Sequence, residues 1–123
     1  MAGIAEIVYT GYPVSNMNRA QAFYEQLLGL QKSTTFEHEG KAWIEYDIGP
    51  ATLAITNMSP EWKPSTDGPA VAFEVTDFDA TINRLKAAGS RFTVEPTSSP
   101  VCRLAVVCDP DGNSVAIHQR TAH

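Results

Sequence analysis

The chain has 123 residues, 43% of them apolar, with two Trp, four Tyr and five Phe. That is the length of one ordinary domain and enough apolar matter for one core, which excludes a disordered chain. Fourteen acidic against nine basic residues give a formal charge of −5 without any Lys/Arg cluster, so no nucleic-acid partner is expected. The opening MAGIAEIVYTGYPV has neither a basic start nor a long apolar run, and no later segment approaches the ~18 uncharged apolar residues that span a bilayer. A cytoplasmic protein with no membrane partner is the expectation.

In chain order, Val8, Tyr12 and Val14 form a strand-like stretch leading into NRAQAFYEQLLGL, where Ala20, Phe23, Leu27 and Leu30 recur at helical spacing and Gly29 stops the helix. Short runs separated by turn signals follow: QKSTTFE, the turn EGK, AWIEYDI, the turn GPA, and TLAIT. Residues 57–68, NMSPEWKPSTDG, carry two Pro and no periodicity and read as a linker, with Trp62 anchoring it to the fold. PAVAFEV then leads into DATINRLKAAG, with Ile82, Leu85 and Ala88 on one face and Gly89 as the stop. After it come RFTVE, a PTSSP break, VCRLAVVC, the turn DPDG and SVAIH.

One unit is written twice. VSNMN at 14–18 and VTDFD at 75–79 match position by position in residue character, and each pentad supplies N-cap chemistry ahead of a helix. Each half therefore reads β-α-β-β-β, which predicts an α+β fold of two modules whose curved mixed sheets enclose a cleft, with the helices on the outer face. The whole chain, 1–123, is one domain: module one about 4–57, linker 57–68, module two about 69–119. Cys102 and Cys108 lie six apart in one strand-like run, roughly 20 Å at ~3.3 Å per residue, too far to bridge, and no CxxC or His spacing makes a zinc site. They read as buried small side chains. Asp109, Asp111, Gly112 and Asn113 read as turn residues, with Pro110 presetting the turn and Gly112 taking a positive φ.

The stretches PVSNMNRAQAFYEQLLGL (13–30), FEVTDFDATINRLKAAG (73–89) and DPDGNSVAIHQ (109–119) resemble the vicinal oxygen chelate superfamily, the glyoxalase, bleomycin-resistance and extradiol dioxygenase fold. The resemblance covers nearly the whole chain and implies paired βαβββ modules around a cavity, often completed in a homodimer. In metal-dependent branches four strand positions send His, Gln or Glu into the cavity to hold a divalent ion that acts as a Lewis acid. Carried over by distance from the motifs, those positions fall here on Tyr9, Ala54, Ala70 and Ala116. Methyl groups bind no metal, and a lone phenol does not ionise to do so near neutral pH. The resemblance thus implies a metal site that this sequence lacks, and no cofactor is expected.

Alternation then assigns the faces. The expected core sets are Val71, Phe73 and Val75, then Val115 and Ile117, then Ile44, Tyr46 and Ile48, and finally Cys102, Leu104, Val106 and Cys108. The expected cleft residues are Ala70, Ala72 and Glu74; Ala116 and His118; Trp43, Glu45 and Asp47; and Arg103, Ala105 and Val107. Tyr9, Tyr12 and Trp43 are candidate aromatic walls, and Arg103 and His118 candidate polar contacts for a ligand. His118 with Glu74 or Glu45 is a candidate acid–base pair, the carboxylate fixing the imidazole tautomer. Plainer roles stand beside these: His118 as a strand-end hydrogen-bonding residue, Glu74 in an ion pair with Arg103, Glu45 in solvent, Tyr9 and Trp43 as packing. His38 and His123 are expected in solvent.

The functional expectation is a metal-independent protein that binds a small organic molecule in its cleft, as in the bleomycin-resistance branch. The alternative is a lyase or isomerase, similar to glyoxalase or dioxygenase relatives, that uses His118 and a Glu as acid and base or holds a relocated metal. A third reading is an interaction module whose cleft is filled by its own side chains.

Overall fold

In the computed structural model, which describes Gly3 and residues 5–121, the order β-α-β-β-β occurs twice. The strands are β1 (Thr10–Pro13), β2 (Lys32–His38), β3 (Lys41–Ile48), β4 (Ala51–Thr56), β5 (Val71–Glu74), β6 (Phe92–Ser98), β7 (Cys102–Cys108) and β8 (Ser114–Arg120). They form two four-stranded sheets, ordered β1-β4-β3-β2 and β5-β8-β7-β6. In each sheet one parallel pair, β1 with β4 or β5 with β8, adjoins antiparallel pairs. The fold is α+β, as the repeated pattern predicts. The residue expected to begin module one, Ile4, lies outside the described residues, as does His123. Among the described residues no helix is long and apolar enough to cross a membrane.

Both helices start where the pentads place them. Asn16 accepts from the Arg19 backbone N–H at 3.0 Å and opens α1, which is α-helical over Met17–Gln21 and π-helical over Ala22–Leu27. Asp77 accepts from the Ala80 N–H at 3.0 Å and opens α2 (Phe78–Ala87). Gly29 and Gly89 end the helices at φ 76° and 79°, a backbone region in which side chains are strained.

One core serves both modules. Ala20, Phe23 and Tyr24 of α1 and Phe78, Ile82 and Leu85 of α2 pack with Ile44, Tyr46, Leu53 and Ile55 of the first sheet and Ala105, Val107, Val115 and Ile117 of the second. Hydrogen bonds tie the modules across the chain: Tyr12 Oη donates to the Ser114 carbonyl at 2.6 Å and accepts from the Val71 N–H at 2.7 Å, and Tyr24 Oη donates to Asp109 Oδ2 at 2.7 Å.

Several expectations are corrected. Val8, Ile48 and Ala88 are exposed rather than core. Val8 precedes the strand proper, Ile48 ends β3, and α2 buries Phe78 and Thr81 at its start instead of Ala88 at its end. β6 runs on through Pro96 where a break was expected, because this is a sheet edge with shifted register, where a residue lacking an N–H costs no ladder bond.

Candidate functional site

Register fixes which side chains share the face away from the helices. In the first sheet Trp43, Glu45 and Asp47 lie opposite Thr56, Ala54 and Thr52, and Gly11 lies opposite Ala54. Ile44, Tyr46, Leu53 and Ile55 point the other way, into the core.

An aromatic wall is built on this open face. The Tyr9 ring meets Trp43 edge to face, with centroids 5.0 Å apart, and Trp43 Nε1–H donates to Glu45 Oε2 at 2.9 Å. From the linker, Trp62 lies on Gly11: a Cβ there would come within 2.8 Å of Trp62 Cη2 and 3.3 Å of Tyr9 Cε1. Only a residue without a side chain lets both rings approach the strand. Phe36 stands opposite Trp43 on the edge strand and is exposed. Ala54, flanked in register by Gly11 and Glu45, is fully buried although it faces away from the helices.

The second sheet presents a different surface. Ala72 and Glu74 pair with Ala116 and His118 across the parallel strands, and Leu104 and Val106 pair with His118 and Ala116 from the other side. His118 Nδ1 lies 2.6 Å from Glu74 Oε1. Glu74 Oε2 accepts from the Arg120 backbone N–H at 2.7 Å, and the Arg120 guanidinium is 3.8 Å from the same carboxylate. The Arg120 N–H, and after it the hydrogen bond from His118, hold the Glu74 carboxyl below its ordinary value, so the group is charged at neutral pH. An ionised carboxylate only accepts, which assigns the Nδ1 proton to His118 and leaves Nε2 toward the open face.

Two cavities lie at the seam where β1 and β5, each the edge of its sheet, come together. One of about 580 Å³ is lined by Gly11 and Trp62 and by Ala70 and Ala72, with Lys63, Ser65, Asp67 and Asn113 as its polar side. Another of about 210 Å³ is lined by Thr52, Ala72 and Glu74. A larger cavity, about 740 Å³, lies elsewhere, between the helix ends and the β7–β8 turn, against Arg19, Phe23 and Asp109.

Of the expected site residues, Tyr9, Trp43, Glu45, Glu74 and His118 are on the open faces, and two are not. Tyr12 is 5% exposed on the core side, its hydroxyl spent on Ser114 and Val71. Arg103 lies under α2, its guanidinium 4.5 Å over the Phe78 ring and 2.9 Å from Asp79, so the ion pair considered with Glu74 is made with Asp79 instead. The whole β7 strand is turned over relative to expectation. Ala105 and Val107 are fully buried, and Leu104 and Val106 are beside His118 and Ala116. Both faces of CRLAVVC are apolar, so alternation carried no sign there, and Arg103 reaches solvent from the rim of the helical face.

Glu45 and Glu74 are on different sheets, and it is Glu74 that meets His118. Trp62 is the wall residue that sequence reasoning took only for an anchor; the small residue Gly11 in an otherwise apolar strand was the signal. His38 is exposed beside Glu39.

The four positions carried over as metal ligands offer three methyl groups and the Tyr9 phenol. They do not fit a divalent ion, and among the described residues no group of three or more His, Cys, Asp or Glu side chains is placed to hold one.

Residues 6–117 match the sequence profile of the Glyoxalase/Bleomycin resistance protein/Dioxygenase superfamily. The chain is 32% identical over 126 aligned residues to the uncharacterized protein YurT of Bacillus subtilis, covering 94% of this chain and 99% of that one. It is 28% identical over 123 residues to a probable lactoylglutathione lyase of Vibrio parahaemolyticus, covering 92% and 89%. Its fold is similar to the crystal structure of TnmS3, an antibiotic binding protein from Streptomyces sp. CB03234, with a TM-score of 0.75, 22% identity and coverage of 98% and 100%.

Proposed function

Because the chain belongs to the Glyoxalase/Bleomycin resistance protein/Dioxygenase superfamily, we propose that it binds a small organic molecule on the uncovered faces of its sheets and does so without a divalent ion. The observation that carries this reading is the aromatic wall, in which Trp62 and Tyr9 fold down onto Gly11 and Trp43 meets Tyr9 edge to face, beside a cavity of about 580 Å³ that Gly11 and Trp62 line. Aromatic surface with polar groups beside it, here Lys63, Ser65, Asp67 and Asn113, suits an organic molecule that carries both. The antibiotic-binding neighbour and the methyl groups at positions 54, 70 and 116 support binding over metal chemistry.

The two tryptophans of the chain both belong to the wall, so their fluorescence reports the site directly. Titration with bleomycin and with 4-nitroanisole is expected to give saturable quenching for at least one of them. Gly11→Ala, whose Cβ displaces Trp62, should weaken that quenching several-fold while the fold persists. Absence of quenching by either probe, or one transition metal held per purified chain, overturns the reading.

A homodimer belongs to the proposal. Ile7 and Val8, 86% and 62% exposed, form an apolar pair just ahead of the edge strand β1, which suits burial against a second copy. Sedimentation velocity at micromolar concentration should show a dimer that Ile7→Lys weakens; a monomer at all accessible concentrations counts against it.

The Glu74–His118 hydrogen bond favours a second reading, a lyase or isomerase with His118 as the proton-transferring group. Turnover that His118→Ala removes while binding survives would establish it.

A further inference from the structure

We infer that Nε2 of His118 is the polar anchor of the site and that it takes a ligand carrying an acidic hydroxyl, a phenol or an enol. The inference rests on the binding proposal above and adds the chemical class of the ligand.

Four observations carry it. Glu74 and His118 are direct partners across β5 and β8, so the sheet itself holds the carboxylate 2.6 Å from Nδ1. Glu74 is fixed in turn through its second oxygen by the Arg120 N–H at 2.7 Å, so the carboxylate does not swing away. On the same face the strand partners of Ala116 and His118 are the apolar side chains Ala72, Val106 and Leu104, and the charged neighbour besides Glu74 is the Arg120 guanidinium, 3.8 Å from Glu74 Oε1. The imidazole side chain is 30% exposed, enough for a ligand atom to reach it.

A histidine held this way presents a lone pair on Nε2, directed by the hydrogen bond at Nδ1. The complementary group is a hydroxyl donor attached to a flat apolar body that rests on the alanine methyls. When the hydroxyl is acidic, its O–H bond breaks, the electron pair stays on the ligand oxygen, and the proton forms the Nε2–H bond. The imidazolium then lies between two anions, the ligand oxyanion and Glu74, each in a charge-assisted hydrogen bond. The position two residues before His118, where metal-dependent relatives place their last ligand, is the methyl of Ala116. It leaves room for the ligand body beside the ring.

The test uses a matched pair of probes, 4-nitrophenol and 4-nitroanisole, in which a methyl group replaces the hydroxyl proton. By equilibrium dialysis at mildly acidic pH the wild-type protein should bind the phenol about ten-fold or more tightly than the ether. Bound phenol should also show the phenolate absorption band under conditions where the free probe does not. His118→Ala should lose the preference and the band while keeping its affinity for 4-nitroanisole, which shows that the variant is folded and its wall intact. Glu74→Gln should weaken the band, since the imidazolium loses its counter-charge. Equal affinity of the wild type for the two probes, or a preference that survives in His118→Ala, overturns the inference and leaves the binding proposal standing. Failure of both probes to bind overturns the inference, and the binding proposal falls with it only if bleomycin gives no quenching either.

Discussion

Asp109 is 3% exposed, and an ionised carboxylate so deeply placed is stable only if its acceptor sites are filled. They are: Oδ1 accepts from the backbone N–H groups of Asp111 and Asn113 at 2.9 Å each, and Oδ2 from Tyr24 Oη at 2.7 Å and Asn113 Nδ2 at 2.9 Å. The same Asn113 amide donates to the Pro13 carbonyl at 2.8 Å, so the turn after β7 is stitched to both α1 and β1. Asp111 turns Oδ1 toward the Ser15 N–H and hydroxyl and toward Arg19, which ties the turn to the start of α1 as well. These carboxylates therefore knit the modules together. Asp109→Asn puts an amide N–H where a donor already points, and is expected to cost about 2–3 kcal/mol in urea unfolding; Tyr24→Phe, which leaves three donors in place, should cost about 1 kcal/mol. An Asp109→Asn loss within the ~0.5 kcal/mol of an ordinary surface change would contradict this account. From sequence the DPDGN run was legible as a turn, and Gly112 does adopt φ 95°. Its bond to Tyr24 was not, because the two residues lie 85 apart in the chain and nothing local couples them.

At the scale of elements, local chemistry was legible where the signal depends on a few adjacent residues. Asn16 and Asp77, the matching third positions of the two pentads, both cap helices, and Gly29 and Gly89 both end them. Periodicity served less well in α1. There Leu28 N–H reaches back five residues to the Phe23 carbonyl, and Phe23 and Tyr24 are both buried. An i, i+3, i+4, i+7 stripe begun at Ala20 already includes Phe23 and Tyr24; Phe23 alone reads as core, since a tyrosine also suits a surface, and the residue that joins the modules went unnoticed. The sheets divide in the same way. In β3 the alternation of Trp43, Glu45 and Asp47 with Ile44 and Tyr46 was sharp, and the faces are as expected. In β7 both faces are apolar, and the choice was made by packing: Ala105 and Val107 are the residues buried with the helices, and Leu104 is left beside His118. The candidate site shows the same limit. The Glu74–His118 pair was readable, since both residues end short apolar strands on one face; Trp62 on Gly11 was not, since the linker's path is set by tertiary contact.

For the molecule as a whole, the junction between modules depends on buried phenols in their neutral form. Burial pushes the pKa of Tyr12 upward, in spite of the N–H it accepts from Val71. Tyr24 is raised well above the ordinary tyrosine value, by burial first and then by the Asp109 charge. Tyr46, whose hydroxyl donates to Glu25 Oε2 at 2.8 Å and so pins α1 to β3, is raised by burial and by that hydrogen bond. The sign follows from which form the fold prefers. An unfolded tyrosine gives up its proton near pH 10 and a folded one here only at higher pH, so the stabilisation is complete below about pH 10 and is lost as the pH rises toward the folded values. Each such tyrosine steepens the decline by at most about 1.4 kcal/mol per pH unit, a limit approached only where the unfolded phenol is ionised and the folded one is not, so the fall sets in near pH 10 and grows above it. Urea unfolding between pH 8 and 11 checks this, with Tyr46→Phe expected to be less stable at pH 8 but to decline less steeply above pH 10. Lysines also titrate in that range, so the diagnostic quantity is the difference in slope between variant and wild type rather than the wild-type slope. Parallel slopes would mean that the phenols are not what alkali attacks. A shallower one for Tyr46→Phe ties alkaline unfolding to the buried phenol that pins α1 to β3.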